Sequence, residues 1–190
     1  TVADQQLLLK IPEGMNFEEA ATIPLVFLTA WYALFDLGNL QFGERVLIHA
    51  ATGGVGMAAY QIATEVGAEI FGTASEGKWD TLREMGLDDA HMASSRNLEF
   101  AEKFKASGMN VVLNALAREF VDASLQLMVE GGRFLEMGKT DIRDAEWLSE
   151  NYSTIAYNAF DLMEAGPDRI QEMLQDLGTW FASGKLRPLP

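Results

Sequence analysis

Two periodicities alternate along the chain. Apolar runs rich in β-branched residues recur every 20 to 30 residues, and the segments between them carry apolar residues at helical spacing. This alternation is typical of β-α-β units. The predicted strands cover residues 45–50, 69–73, 91–92, 110–114, 133–137 and 154–158. The predicted helices between and after them cover residues 55–66, 78–85, 98–106, 119–129 and 167–182.

Several of these strands are apolar at nearly every position, as in Val-Leu-Ile at 46–48 and Val-Val-Leu at 111–113. Strands of this kind belong to parallel sheets whose two faces are both covered by helices. The sequence therefore predicts an α/β fold, a doubly wound six-stranded parallel sheet of the Rossmann type with helices on both faces.

A different segment precedes the first strand. Residues 17–23 and 25–37 are predicted as two helices separated at Pro24. The second helix is apolar almost all round, so it must be buried against another part of the protein. We treat residues 1–40 as a helical lead-in and residues 41–190 as the Rossmann domain.

Composition narrows the functional classes. Apolar residues make up 48% and charged residues 22%, which is typical of a packed globule rather than a disordered chain. The net charge is 14 − 28 = −14, and this sign disfavours a nonspecific nucleic-acid binder or a protein that docks on an anionic membrane.

The residue inventory also bears on compartment and chemistry. The absence of cysteine excludes disulfides and thiolate metal ligands and favours a reducing cytoplasm. No set of histidines and carboxylates at ligand spacing indicates a metal site. The first residue is Thr rather than Met, so we expect the chain to be part of a longer protein.

A glycine-rich turn joins the first strand to the helix at 55–66. In the string AATGGVGMAA (50–59), the three glycine places of the dinucleotide fingerprint are taken by Ala51, Gly53 and Gly56. The backbone at Gly53 has to approach a diphosphate closely, while Gly56 lets the helix pack on the strand. With Gly54 and Val55, these residues form the predicted diphosphate site at the helix N-terminus. A turn made of small residues for packing alone is the alternative interpretation.

The end of the second strand predicts which dinucleotide is bound. An NAD-binding chain places an acidic residue there for the ribose hydroxyls, whereas this chain has Ser75. Ser75 can donate to a 2′-phosphate, and Lys78 and Arg96 can supply positive charge. NADPH is therefore favoured over NADH, although Glu76 has to face away from the phosphate. Solvated surface charges are the alternative for Lys78 and Arg96.

Five strings carry a resemblance to a known family. They are FLTAWYAL (27–34), LIHAATGGVGMAA (47–59), TASEGKWDTLREMGLDDAHMASSR (73–96), EFVDASLQLMVEGGRFLEMGKTDIRD (119–144) and AFDLMEAGPDRI (159–170). The chain resembles the enoylreductase domain of modular polyketide synthases, within the zinc-independent medium-chain dehydrogenase/reductase superfamily. Small departures, such as Asn110 and Ala115 where Asp and Ser are expected, affect only the adenine-side loop.

The resemblance implies NADPH-dependent reduction of an α,β-unsaturated thioester held on an acyl carrier protein, next to other synthase domains. Family members also contain a GroES-like substrate domain, most of which precedes the nucleotide-binding portion. The resemblance thus makes residues 1–40 the lead-in from that domain and residues 41–190 the NADPH-binding domain. Alone, the chain is expected to bind nucleotide and to turn over little or no substrate.

The resemblance also assigns site residues. Lys139 and Asp161 are the implied proton-donor pair. Both follow predicted strands, at the sheet edge where ligands bind. Further contacts to the cofactor are expected from Thr29, Asn114, Met137, Gly138 and Phe160, with Tyr32 near the nicotinamide. A loop charge for Lys139, a helix cap for Asp161 and core packing for Thr29, Tyr32 and Phe160 are the alternative interpretations.

Other functions stay open at this stage. One is a quinone or alkenal reductase of the same superfamily, and another is a variant that uses the same hydride chemistry to close a ring. A third is a non-catalytic Rossmann scaffold within a large synthase. His49, at the end of the first strand, is expected to be a hydrogen-bonded core residue rather than a catalytic one.

Overall fold

The computed structural model describes residues 4–190, so the first three residues of the predicted lead-in lie outside it. Six strands form one sheet: β1 (Arg45–Ile48), β2 (Glu69–Ala74), β3 (Met92–Ser94), β4 (Met109–Asn114), β5 (Met128–Glu136) and β6 (Ala156–Ala159). All pairings are parallel, and the strand order is β3-β2-β1-β4-β5-β6. The parallel six-stranded sheet confirms the predicted fold class, and the observed strand order is that of the Rossmann fold, with the reversal between β1 and β4.

Within residues 4–190, eight α-helices accompany the sheet. They are α1 (Phe17–Ala21), α2 (Pro24–Trp31), α3 (Gly54–Val66), α4 (Trp79–Met85), α5 (Glu99–Phe104), α6 (Glu119–Leu125), α7 (Ala145–Asn151) and α8 (Gly166–Ala182). Local chemistry sets several starts: Asn16 and Glu19 form a capping box for α1, and Pro24 occupies the first turn of α2. Among the described residues, no helix combines the length and apolar character that a membrane span requires.

The two faces of the sheet have separate hydrophobic cores. Val46 and Ile48 of β1 point to the core formed with α2, α3 and α8, whereas Leu47 points to the core formed with α5 and α6. Successive side chains of one strand therefore pack alternately into the two cores, as expected for an apolar strand that is covered on both faces.

The lead-in shares the first of these cores. Phe27 of α2 is fully buried, and its ring meets the ring of Phe181 in α8 edge-on at 4.9 Å. Beyond α2 the chain widens into a π-helical turn, Tyr32–Leu37. Arg133 in β5 then fixes the exit of this turn by donating to the Gly38 carbonyl at 2.6 Å and to the carboxylate of Glu44.

Three differences from the sequence predictions concern the helices. The helix predicted over residues 119–129 ends at Leu125, because the chain enters β5 at Met128. Helix α7 was not predicted at all. The single helix predicted over 25–37 is α in its first part and π in its second.

Candidate active site

The structure brings the predicted site residues to one edge of the sheet, where the strands end. Arg96 follows β3, Ser75 follows β2, the glycine turn follows β1, Lys139 follows β5 and Asp161 follows β6. Neighbouring strands lie about 4.8 Å apart, so the row spans about 24 Å. The glycine turn lies near its middle, beside the point where the strand order reverses, and ligands of such folds bind at that position.

The glycine turn is tight and holds its own backbone. Ala50 has a positive φ of 49°, and its carbonyl accepts a hydrogen bond from the N–H of Gly53 at 2.8 Å. Gly53 is the N-cap residue of α3, and because glycine has no side chain, no side-chain oxygen of the cap accepts from the first-turn N–H groups of this helix. A Cβ at Gly53 would meet only the Ala50 oxygen, at 3.2 Å, and otherwise open space. The backbone there is accessible to an anion, which fits a dinucleotide diphosphate.

Gly54 and Gly56 are required for packing within the protein. A Cβ at Gly54 would lie 2.9 Å from Val26 Cγ1 of α2. A Cβ at Gly56 would lie 2.4 Å from the Ala50 oxygen and 2.6 Å from Ala51 Cα, both backbone atoms. The helix can approach the end of β1 this closely only because residue 56 has no side chain.

The predicted adenosine side is built from the ends of β2 and β3. Ala74 and Ser94 are register partners, and the N–H of Ser95 donates to the Ala74 carbonyl at 2.9 Å. Ser75 then caps a short 3-10 turn, Glu76–Lys78. The side chains of Lys78 and Arg96 are exposed and make no salt bridge within residues 4–190. Lys78 thus ends the turn that follows Ser75 and Arg96 lies on the neighbouring loop, while the carboxylate of Glu76, next to Ser75, is exposed as well.

Lys139 and Asp161 face each other across two loops. Lys139 Nζ lies 3.1 Å from Asp161 Oδ2 and donates to the Phe160 carbonyl at 2.7 Å. Asp161 also accepts the N–H of Met163 at 3.0 Å, so it caps the short turn that follows. That backbone hydrogen bond, together with Lys139, lowers the pKa of the Asp161 carboxyl. Both side chains are about half exposed and open to a substrate.

Of the remaining predicted contacts, Phe160, Met137 and Gly138 adjoin this pair, and Thr29 lies on α2. Thr29 donates its hydroxyl proton to the Leu25 carbonyl at 2.7 Å, which leaves its oxygen free to accept. Phe160 is buried and meets the ring of Tyr32 edge-on at 5.9 Å. Met137 and Gly138 are half-buried in the turn that precedes Lys139. The Phe160 and Tyr32 rings pack against each other, and their contacts to a ligand stay predictions.

Asn114 differs from the other predicted cofactor contacts. It is fully buried at the end of β4, and its amide nitrogen donates to the Leu116 carbonyl and to Glu136, both at 2.7 Å. Its oxygen accepts the N–H of Leu116 at 3.2 Å. Since every polar atom of the side chain is engaged, Asn114 shapes the loop after β4, and a direct bond to cofactor remains a prediction.

His49 is buried beneath the glycine turn, as expected. Its Nδ1 lies 2.9 Å from Thr73 Oγ1, and its Nε2 lies 2.8 Å from Ser124 Oγ. Ser124 gives its own proton to the Phe120 carbonyl at 2.6 Å, so His49 Nε2 carries the proton and Nδ1 accepts from Thr73. Burial lowers the pKa of His49 to about 3, and the ring therefore stays neutral and structural.

Sequence reasoning missed one residue at this edge. Glu136 ends β5 with 1% of its surface exposed and contacts the loops after both β4 and β5. The signal was a single carboxylate closing an otherwise apolar strand, Phe-Leu-Glu-Met at 134–137. A buried carboxylate without a cation is unusual enough to mark a position with a special role.

Comparisons with known proteins assign the family. Residues 85–190 match the family model described as zinc-binding dehydrogenase. The described residues do not fit zinc, because they contain no group of three potential ligands and the chain has no cysteine.

Polyketide synthases and their enoylreductases are similar over the whole chain. A phenolphthiocerol synthesis polyketide synthase type I of Mycobacterium bovis is 59% identical over 193 residues, which are all of this chain and 9% of that protein. The crystal structure of CurK enoyl reductase is 46% identical with a TM-score of 0.91, over 96% of this chain and 56% of that one.

A third comparison matches almost end to end. The X-ray structure of the nucleotide-binding subdomain of the enoylreductase domain of PpsC from Mycobacterium tuberculosis is 38% identical, with a TM-score of 0.78. The match covers 87% of this chain and 97% of that one. The chain therefore belongs to the family of nucleotide-binding portions of polyketide synthase enoylreductase domains, within the dehydrogenase/reductase superfamily.

Proposed function

We propose that this chain binds NADPH and forms the cofactor half of an enoylreductase, which reduces an α,β-unsaturated acyl thioester on an acyl carrier protein. The observation that carries the proposal is the single row along the sheet edge. Along this row an open glycine turn lies in the middle, Ser75, Lys78 and Arg96 lie on the loops at one end, and the Lys139–Asp161 pair lies at the other. A dinucleotide with an extra phosphate on its adenosine matches that order.

The choice of NADPH rests on the adenosine side. Ser75 offers a hydroxyl where a ribose-binding carboxylate would repel a phosphate, and Lys78 and Arg96 lie on the adjoining loops. Because Lys78 and Arg96 have no salt bridge to break among the described residues, binding a phosphate costs them only the loss of bound water. When bound, the reduced nicotinamide supplies the hydride that reaches the β-carbon.

Lys139 is suited to give the α-carbon its proton. An ammonium group has three N–H donors, and Phe160 and Asp161 take two of them. The third can face a substrate. Asp161 stays ionised at neutral pH because its pKa is lowered, so it acts as the counter-ion that holds Lys139 Nζ in place. Solvent then returns a proton to Nζ, and the net reaction consumes one hydride and one proton.

The cofactor assignment is tested by titrating the chain with NADPH and NADH. We expect tighter binding of NADPH, and we expect Lys78→Ala to weaken NADPH by about 1 to 3 kcal/mol while NADH changes little. Lys105→Ala is the control, since it removes an exposed lysine charge, weakly paired with Glu102, from the end of α5 at the opposite edge of the sheet. Tighter NADH binding, or an equal loss for both nucleotides, would contradict the assignment.

The reaction is tested in a synthase module that contains this chain. Reduction of a carrier-bound enoyl thioester, and its loss in Lys139→Ala, is the expected result. Faster reduction of free quinones or alkenals would favour a small-molecule reductase instead. If neither nucleotide binds at millimolar concentration, the chain is a non-catalytic scaffold.

A further inference from the structure

Glu136 is a buried carboxylate held only by donors. Gly138 donates its N–H to Oε1 at 2.6 Å, Asn114 donates its amide to Oε2 at 2.7 Å, and the Tyr157 hydroxyl lies 3.4 Å from Oε2. Within residues 4–190 no salt bridge involves Glu136. Burial raises the pKa of the Glu136 carboxyl, whereas the Gly138 N–H and the Asn114 amide nitrogen can only donate to it and so favour its ionised form.

Neither of the two close partners can turn away. The Asn114 amide is fixed in one orientation, because its oxygen accepts from the N–H of Leu116 while its nitrogen donates to the Leu116 carbonyl. Gly138 approaches Glu136 so closely that a Cβ would lie 2.7 Å from Oε1. Glu136 therefore ties the loop after β4 to the turn after β5 with two short hydrogen bonds.

This position adjoins the proposed proton donor. Gly138 immediately precedes Lys139, so the bond to Oε1 sets the direction in which the chain leaves β5. The backbone of Glu136 reaches the third loop as well, since its carbonyl accepts the N–H of Phe160 at 3.2 Å. Phe160 in turn provides the carbonyl that receives Lys139 Nζ. One residue thus links the three loops that surround Lys139.

We propose that Glu136 is a positioning residue of the reductase, which fixes the Met137–Gly138 turn and thereby the reach of Lys139, without exchanging a proton itself. Both oxygens are engaged and only 1% of the residue is exposed, so it cannot touch a substrate. The inference rests on the proposed function for its catalytic meaning, but the contact can be tested without any activity.

The first experiment uses Glu136→Gln in the 190-residue chain. The glutamine keeps the shape but points an NH2 group at either Gly138 or Asn114, both of which are donors. By NMR, we expect the Gly138 amide proton to move upfield and to exchange with solvent at least about tenfold faster, which corresponds to losing roughly 1.4 kcal/mol. Glu130→Gln is the matched control, because Glu130 is exposed near the other end of β5. Unchanged signals from both the Gly138 amide and the Asn114 side-chain amide would overturn the proposal.

The second experiment is a double-mutant cycle in the synthase module. We expect Glu136→Gln to lower kcat by about 10- to 100-fold with little change in KM, because a small misplacement of the donor slows only the chemical step. If Glu136 acts through Lys139, the double variant with Lys139→Ala is no slower than Lys139→Ala alone. Fully additive losses would overturn the proposal.

The two experiments separate the proposals. A wild-type module without reductase activity would refute the proposed function, while the Gly138 amide would still report whether Glu136 holds the turn. A normal reductase whose kcat is unaffected by Glu136→Gln would refute the positioning role alone.

Discussion

Gly56→Ala tests whether close packing at the glycine turn is a requirement of the protein itself. The added Cβ would lie 2.4 Å from the Ala50 oxygen and 2.6 Å from Ala51 Cα, where carbon contacts normally begin at about 3.5 Å. Both contacts are backbone, so no side chain can rotate away and α3 has to move off β1 by about 1 Å. Overpacking of this kind costs about 1 to 3 kcal/mol.

For a chain of 190 residues, each kcal/mol lowers Tm by about 2 to 4 °C, so the variant should unfold about 2 to 12 °C below the wild type in calorimetry. Its nucleotide affinity should fall too, because the turn moves. A Tm equal to that of the wild type would refute the packing argument.

Gly53→Ala is the companion measurement. There the Cβ meets a single atom at 3.2 Å and φ is −83°, an ordinary value. We therefore expect Tm to stay within about 1 to 2 °C of the wild type, since the cost is at most a few tenths of a kcal/mol. Nucleotide affinity should nevertheless drop, because the methyl group covers the backbone that a diphosphate approaches. Unchanged affinity would place the diphosphate elsewhere.

The remaining predictions concern stability. The chain has two histidines with opposite pKa shifts: burial lowers the pKa of His49 to about 3, while Asp88 and Glu69 raise that of His91. Below about pH 6.5, His49 becomes protonated in the unfolded chain but stays neutral in the folded one, so stability falls as the pH is lowered. Above about pH 6.5, the folded chain loses the stabilising proton on His91, so stability falls as the pH is raised. Tm should therefore peak near pH 6.5. His49→Gln should remove the acid slope and His91→Gln the alkaline slope, and a Tm that rises steadily across pH 5.5 to 8 contradicts this. Phe27→Ala should cost about 3 to 5 kcal/mol in urea unfolding because Phe27 is fully buried, whereas Phe17→Ala, at 82% exposure, should cost less than about 0.5 kcal/mol. Similar losses for the two would contradict the placement of α2 in the core.

Hydrophobic periodicity was enough to predict the sheet. The apolar runs around Leu47 and Val112 can be satisfied only by strands covered on both faces, and the structure confirms all six strands and their parallel order. The start of β5 at Met128 was missed because hydrophobic periodicity alone is ambiguous there. The run Leu-Gln-Leu-Met-Val at 125–129 fits the end of a helix as well as the start of a strand, and only tertiary pairing with Met109 decides between them.

The residues of the candidate site were harder to predict from the sequence than the sheet was. Gly53 and Gly56 could be found because a strand, a turn and a helix surround them. Lys139 and Asp161 are 22 positions apart, and no spacing rule predicts their 3.1 Å contact, so the resemblance alone suggested the pair. Glu136 was missed because its partners come from β4 and from the next turn, and the one sequence signal, a carboxylate that closes an apolar strand, does not identify those partners.

The sharing of one core by α2, α8 and the sheet bears on chimeric synthases. If a cofactor unit were exchanged between enzymes with the splice after residue 40, Phe27 and Leu34 would come from one parent and their neighbours in α8 from the other. With a splice before Asn16, the α1 capping box, the π-helical turn and the Arg133 contacts would all come from the same parent. In this fold, the transferable unit begins ahead of its first strand.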